Sequence, residues 1–203
     1  MDKEIFFETF HSLEVHELLD FCRQNLLQGI PYVFDQNKEN YYKFRKRIAE
    51  HWDIHFQDIY ITGSASLGFS IFKNTIFSLD SDIDVAIVSQ KLFDRIMQDI
   101  HKYQLKFREF RADLTRKDIR KYHHFLEYSA MGWIRPDLLP TNLVEEIKFL
   151  KEDWFEFFSS ISNNQSEVGN YEVGAGVFKS HYHLEEYTLL GLKKIHKPLS
   201  TSK

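Results

Sequence analysis

Two short stretches of this 203-residue chain bring together residue types that handle phosphate and metal. Ile61-Thr62-Gly63-Ser64-Ala65-Ser66 reads as a strand running into a Gly-Ser turn, and Asp80-Ser81-Asp82-Ile83-Asp84-Val85 enters the next strand. In an extended segment residues i and i+2 project from the same face, about 6.5–7 Å apart along the chain. Asp82 and Asp84 therefore repel each other unless a cation sits between them. Mg²⁺, or Mn²⁺ in its place, suits such a pair, because it takes one or two carboxylates together with substrate phosphates. Glycine lets backbone N–H groups approach a phosphate closely, and the Ser hydroxyl adds a donor. Metal and phosphate cradle together mean phosphoryl or nucleotidyl transfer. Each half alone is a weak signal: Asp-x-Asp is usually a solvated turn or strand edge, and a Gly-Ser after a strand is commoner still. Jointly, each explains the other. Lys73, between the two halves, can reach a phosphate as a point charge.

These motifs resemble the signature of the nucleotidyltransferases of the DNA polymerase β superfamily: a hydrophobic residue, Gly, Ser or Gly, a spacer, then Asp-hydrophobic-Asp/Glu-hydrophobic. Here they read Ile61-Thr62-Gly63-Ser64 and Asp82-Ile83-Asp84-Val85. Ser81-Asp82-Ile83-Asp84 is typical of small prokaryotic members. The stretch from Trp133 to Pro140 and the one from Val177 to Tyr187 are similar to small bacterial nucleotidyltransferase-like proteins of this length. The resemblance implies that Gly63 and Ser64 hold the triphosphate and that Asp82 and Asp84 bind a Mg²⁺ pair; Ser66 and Lys73 are further candidates for binding the nucleotide. It implies transfer of a nucleoside monophosphate from an NTP, ATP first, to a hydroxyl on a protein, an RNA end or a second nucleotide, in a toxin–antitoxin or phage-defence setting. A partner chain or a second copy would complete the acceptor site. The rival reading keeps the scaffold without the catalysis, as a nucleotide-binding or antitoxin-like interaction protein.

Two departures stand out. The spacer from Ala65 to Ser81 has 17 residues, against about ten in the family, and implies an extra loop around Phe72 to Phe77. The family's third carboxylate, on a neighbouring strand, has no local motif. Glu172 is the first choice, because it precedes a strand, Val173 to Phe178, whose small residues permit close approach. Asp113 and Asp137 are its rivals.

The elements that must carry these residues are legible in outline. Helices are expected after Ser12 to about Leu26, over Asn37–Trp52, Gln90–Tyr103, Arg116–Met131, Asn142–Ile161 and Leu184–Ile195, with Lys106 to Leu114 ambiguous. Strands are expected at Ile59–Thr62, Ile83–Val88 and Val173–Phe178. Strands scattered among helices predict an α/β or α+β fold: a small mixed sheet of the polymerase β type, flanked by helices, with extra helices at both ends. The whole chain, 1–203, reads as one domain, its motif core at about 56–90 and its closing strand and helix at 171–197.

Composition bounds the rest. Hydrophobic residues make 43% and charged residues 28%, which excludes a disordered chain. The formal charge is −4, which excludes a strongly basic nucleic-acid coat protein. A local cluster of eight Lys and Arg from Lys102 to Lys121 offers a surface for a polynucleotide, or else is a solvated helix face. The single cysteine, Cys22, allows no internal disulfide and no Cys-based zinc site, and it sits on an apolar helix face. The acidic start and the lack of a long apolar run point to a cytoplasmic protein with no membrane partner. His123-His124 and the His181/His183 pair lack the further ligands of a zinc set. Trp154, Phe155, Phe157 and Phe158 read as core or interface before they read as a base-stacking platform.

Overall fold

The chain is described here by a computed structural model covering residues 2–110, 115–139 and 145–196. Four strands form one mixed sheet in the order β1-β2-β4-β3. They are β1 (Ile59–Thr62), β2 (Ile83–Val88), β3 (Trp133–Ile134) and β4 (Val173–Phe178). β2 runs antiparallel to β1, with Thr62 opposite Asp84, and parallel to β4, with Asp84 beside Gly174. β3 is a short antiparallel edge on β4. The helices among the described residues are α1 (Lys3–Ser12), α2 (Leu18–Asn25), α3 (Lys38–Trp52), α4 (Gly63–Leu67), α5 (Gln90–Phe110), α6 (Arg116–Ala130), α7 (Glu145–Ser160) and α8 (His181–Ile195). The fold is α+β, as the scattered strands predict.

Strand alternation decides where the chemistry sits. One face of the sheet carries Ile59, Ile61, Ile83, Val85, Ile87, Val173 and Val177, all buried against apolar residues of α3, α5 and α7. Burying one such side chain contributes roughly 1.5–3 kcal/mol, so this face dominates the energetics. The opposite face carries Thr62, Asp84, Ala86, Val88, Gly174, Gly176 and Phe178. Only its far end is covered, where Ala86, Val88 and Phe178 meet Leu184 of α8. The near end, with Thr62, Asp84 and Gly174, is left open.

A second core joins the chain's two ends. Phe6 and Phe10 of α1, Leu18, Phe21 and Cys22 of α2, and Leu189 and Leu192 of α8 pack with Phe69 and Ile71. Arg23 of α2 grips Glu185 of α8 through two hydrogen bonds, 2.8 and 2.9 Å long.

The expected first helix is corrected. A full helix already lies before Ser12, begun by the Asp2 carboxylate, which accepts from the Glu4 N–H. The chain is extended at Leu13, and regular helix resumes only at Leu18. α5 runs on through Phe110 and absorbs much of the ambiguous stretch. α7 is described from Glu145 to Ser160, and its expected start at Asn142 lies outside the described residues. α8 begins at His181, so His181 and His183 are helical neighbours on different faces rather than a strand-spaced pair. The expected loop is present: Ser70 N–H donates to Thr75 and Phe77 N–H to Gly68, closing a narrow excursion that exposes Phe72 and Ile76.

Candidate active site

β1 ends at Thr62 and the chain turns at once into α4. Gly63 makes the bend at φ +65°, a left-handed conformation that a side chain strains. The bend lies directly against Asp84: a Cβ on Gly63 would stand 2.9 Å from Asp84 Oδ2. Glycine is required here twice, once for the backbone and once for the space. On the other side of the acid pair, Ser78 and Ser81 close a turn through two hydrogen bonds, and this turn feeds Asp82 into β2. Thr62 Oγ1 donates to the Asp84 carbonyl at 3.3 Å, tying the bend to the strand.

The open end of the sheet forms a cleft of about 1390 Å³. It brings together Gly63, Ser64, Ser66, Lys73, Asp82, Asp84 and Glu172. Asp82, just ahead of β2, and Asp84, within it, are both exposed. Desolvation by the surrounding protein pushes the Asp84 carboxyl above its usual range, the neighbouring Asp82 charge adds to this, and Lys73 pulls the other way. Lys73 is thus close enough to act on Asp84. Ser66 borders the cleft, but its hydroxyl donates to the Leu26 carbonyl at 3.4 Å.

The third carboxylate is less well placed. Glu172 is exposed in the same cleft, and its carbonyl accepts from Ile83 N–H at 2.8 Å. Continued one step, the parallel register sets Glu172 beside Asp82, while Gly174 stands beside Asp84. Asp137 also reaches the cleft, but both its oxygens accept from Arg135, at 3.1 and 2.8 Å. Asp113 lies outside the described residues. Among the described residues no group of three or more His, Cys, Asp or Glu is placed to hold a metal ion. Asp82 and Asp84 are the residues that would hold a cation here, with phosphate oxygens supplying its other ligands.

Two parts of the site carry no sequence motif. The floor is made of Gly174, above which nothing lies within 4 Å of a Cβ position, and Gly176, where a Cβ would meet the Trp133 indole Nε1 at 2.5 Å. The wall is Tyr187 of α8, packed on Trp133 with ring centroids 4.4 Å apart, and Arg135, 5.4 Å from the Trp133 ring centroid. The glycines stand out in the sequence as small residues in a strand; Tyr187 ends a stretch marked by resemblance, but its place in the wall depends on how α8 crosses the sheet.

The other candidates sort out differently. Cys22 is fully buried, and desolvation pushes its thiol up to about 12, which removes it as a nucleophile at neutral pH. Trp154 is core, packed on Trp52 at 4.8 Å. His181 is hydrogen-bonded to the Tyr60 hydroxyl at 2.9 Å, and His124 to Glu127 at 3.1 Å. Among the described residues, none of the basic cluster from Lys102 to Lys121 lines the cleft. Comparison with protein-family models, curated proteins and solved structures finds no match to this chain. Among the described residues no helix is long and apolar enough to cross a membrane.

Proposed function

We propose that this protein binds a nucleoside triphosphate with Mg²⁺ and transfers the nucleoside monophosphate to an acceptor hydroxyl. The observation that carries the reading is the contact between the Gly63 bend and the Asp84 carboxylate. It makes the glycine–serine turn and the acid pair two sides of one opening, so a triphosphate on the turn lies within reach of a cation on the acids. Lys73 adds positive charge to the same opening. The cleft volume exceeds the roughly 300–1,000 Å³ of an ordinary ligand pocket, leaving room for part of an acceptor beside the nucleotide. In the transfer, the acceptor oxygen forms a bond to the α-phosphorus and the α–β phosphoanhydride bond breaks. Pyrophosphate leaves, and the acceptor proton passes to solvent. Mg²⁺, when bound, neutralises phosphate charge and fixes the triphosphate for in-line displacement. Asp82 and Asp84 hold that charge in place, Gly63 keeps the approach free of side chain, and the glycine floor leaves the flank of Asp84 open.

ATP is the first nucleotide to try, and protein, RNA and nucleotide hydroxyls are the acceptors. One observation favours the non-catalytic alternative: Gly174, not an acid, stands beside Asp84. Incubation with Mg²⁺, labelled NTPs and each acceptor class separates the two. Incorporated label or released pyrophosphate that disappears in Asp82→Asn and Asp84→Asn supports transfer, with an expected loss of at least 100-fold. Tight Mg²⁺-dependent NTP binding without turnover supports the binding protein. Absence of NTP binding removes both.

A further inference from the structure

We infer that the acceptor is a polypeptide, and that the cleft takes a segment rich in apolar and basic side chains that presents a Ser, Thr or Tyr hydroxyl. The inference rests on the nucleotidyltransferase reading and names the acceptor class for that same site. Large apolar side chains converge on the cleft from three parts of the chain: Phe72 and Ile76 of the excursion after α4, Phe155 of α7, and Tyr187 and Leu190 of α8. Phe72 is 63% exposed and Ile76 71%, and the other three are close to half-exposed. Isolated exposed hydrophobics are ordinary, but several around one opening mark a surface that another molecule covers. Both loop residues stand on fixed supports. The Phe72 ring rests on α8 where Gly191 makes room, since a Cβ there would lie 2.8 Å from Phe72 Cζ. Ile76 is bridged through its backbone to Phe69, which is buried in the second core.

Charge decides the kind of molecule. Among the described residues lining the cleft, Asp137 is matched by Arg135, which leaves Lys73 and Lys194 against Asp80, Asp82, Asp84 and Glu172. A bound triphosphate adds negative charge of its own, which Mg²⁺ at most offsets. A polynucleotide is held chiefly by Lys and Arg along its phosphates, and here it would bring phosphates to a surplus of carboxylates. A peptide with Lys or Arg near its hydroxyl meets the opposite sign, and its apolar side chains cover the exposed rings. In the transfer its hydroxyl oxygen bonds to the α-phosphorus, pyrophosphate leaves and the hydroxyl proton passes to solvent.

The test offers the full chain, with Mg²⁺ and a non-hydrolysable ATP analogue, a displayed library of random short peptides and, separately, a pool of random single-stranded RNA. Peptide selection is expected to enrich Leu, Ile, Phe, Lys and Arg and to deplete Asp and Glu, and selected peptides with a hydroxyl are expected to take label from ATP labelled at the α-phosphate. Replacing the basic residues of a selected peptide by Glu should weaken its binding by about tenfold or more. Ile76→Ser combined with Leu190→Ser should do the same while leaving the affinity for the ATP analogue unchanged. Selected peptides of any other composition, peptides that bind equally well with Glu or take no label, and selection of RNA in their place each overturn the inference. Enrichment of neither pool, with the analogue still bound, overturns it too and leaves the nucleotide reading standing. Failure of the analogue to bind with Mg²⁺ overturns that reading as well. The peptide series on the wild type decides alone should the double variant fail to fold.

Discussion

Asp84 is a carboxylate whose charged form the fold disfavours. Its pKa is raised, chiefly by desolvation, so the folded state holds the proton more tightly than the unfolded state does. Stability therefore falls as pH rises from the ordinary aspartate range through the raised folded value, and stays lower above it. Asp84→Asn should raise the Tm in EDTA at pH 7, and the advantage over wild type should shrink as the pH is taken down through that window. Thermal melts of the two proteins across pH check this; a variant less stable than wild type at pH 7 contradicts it. Gly63→Ala should do the opposite. A left-handed backbone costs a side chain about 1–2 kcal/mol, and the new methyl would press on Asp84. Its Tm should drop, and NTP binding by calorimetry should weaken at least tenfold. The residues at this scale were legible because their types announce their chemistry: a Gly-Ser turn and an Asp-x-Asp pair need no register to be noticed. Gly174 was not legible in the same way. A glycine has no side chain to read, and its meaning comes from standing beside Asp84, which only strand pairing decides.

Among the elements, α1 and α2 reach the site through Phe69. Phe6 is fully buried and its ring lies 5.3 Å from that of Phe69, at the start of the loop that carries Lys73. Phe6→Ala should destabilise the chain by about 3–5 kcal/mol. Below the melting transition it should also weaken NTP binding, because the Lys73 loop loses its anchor; unchanged affinity in a folded variant would disprove the link. The Arg23–Glu185 grip joins α2 to α8, and the hydrogen bond from Arg23 holds Glu185 below its usual range. This contribution is present above the ordinary glutamate pKa and is lost as pH falls through the depressed value. The central strands and most helix bodies followed from apolar spacing. The starts of α1 and α8 did not, because they are set by single groups: the Asp2 carboxylate starts α1 before any apolar period is established, and His181 enters α8 three residues ahead of the first buried position, Leu184.

For the molecule as a whole, ligand binding and stability are linked by mass action. A nucleotide present at a hundredfold over its Kd adds about 2.7 kcal/mol, worth about 5–10 °C in a chain of this size. Mg²⁺ with ATP should produce such a shift in differential scanning fluorimetry, and neither alone should match it; no shift at any concentration would count against the cleft as a nucleotide site. The sheet order has a consequence during synthesis. The β1–β2 hairpin is local, so the bend and both acids can meet as soon as Val88 has left the ribosome. β4 pairs with β2 only after α5, α6, β3 and α7 have been made, and until then the inner edge of β2 has no neighbour. Such long-range parallel pairing is slow, and an unpaired edge invites association with other chains. A nascent chain ending before Val173 thus carries the acids without their floor, and its bare β2 edge is then most open to pairing with a neighbouring chain.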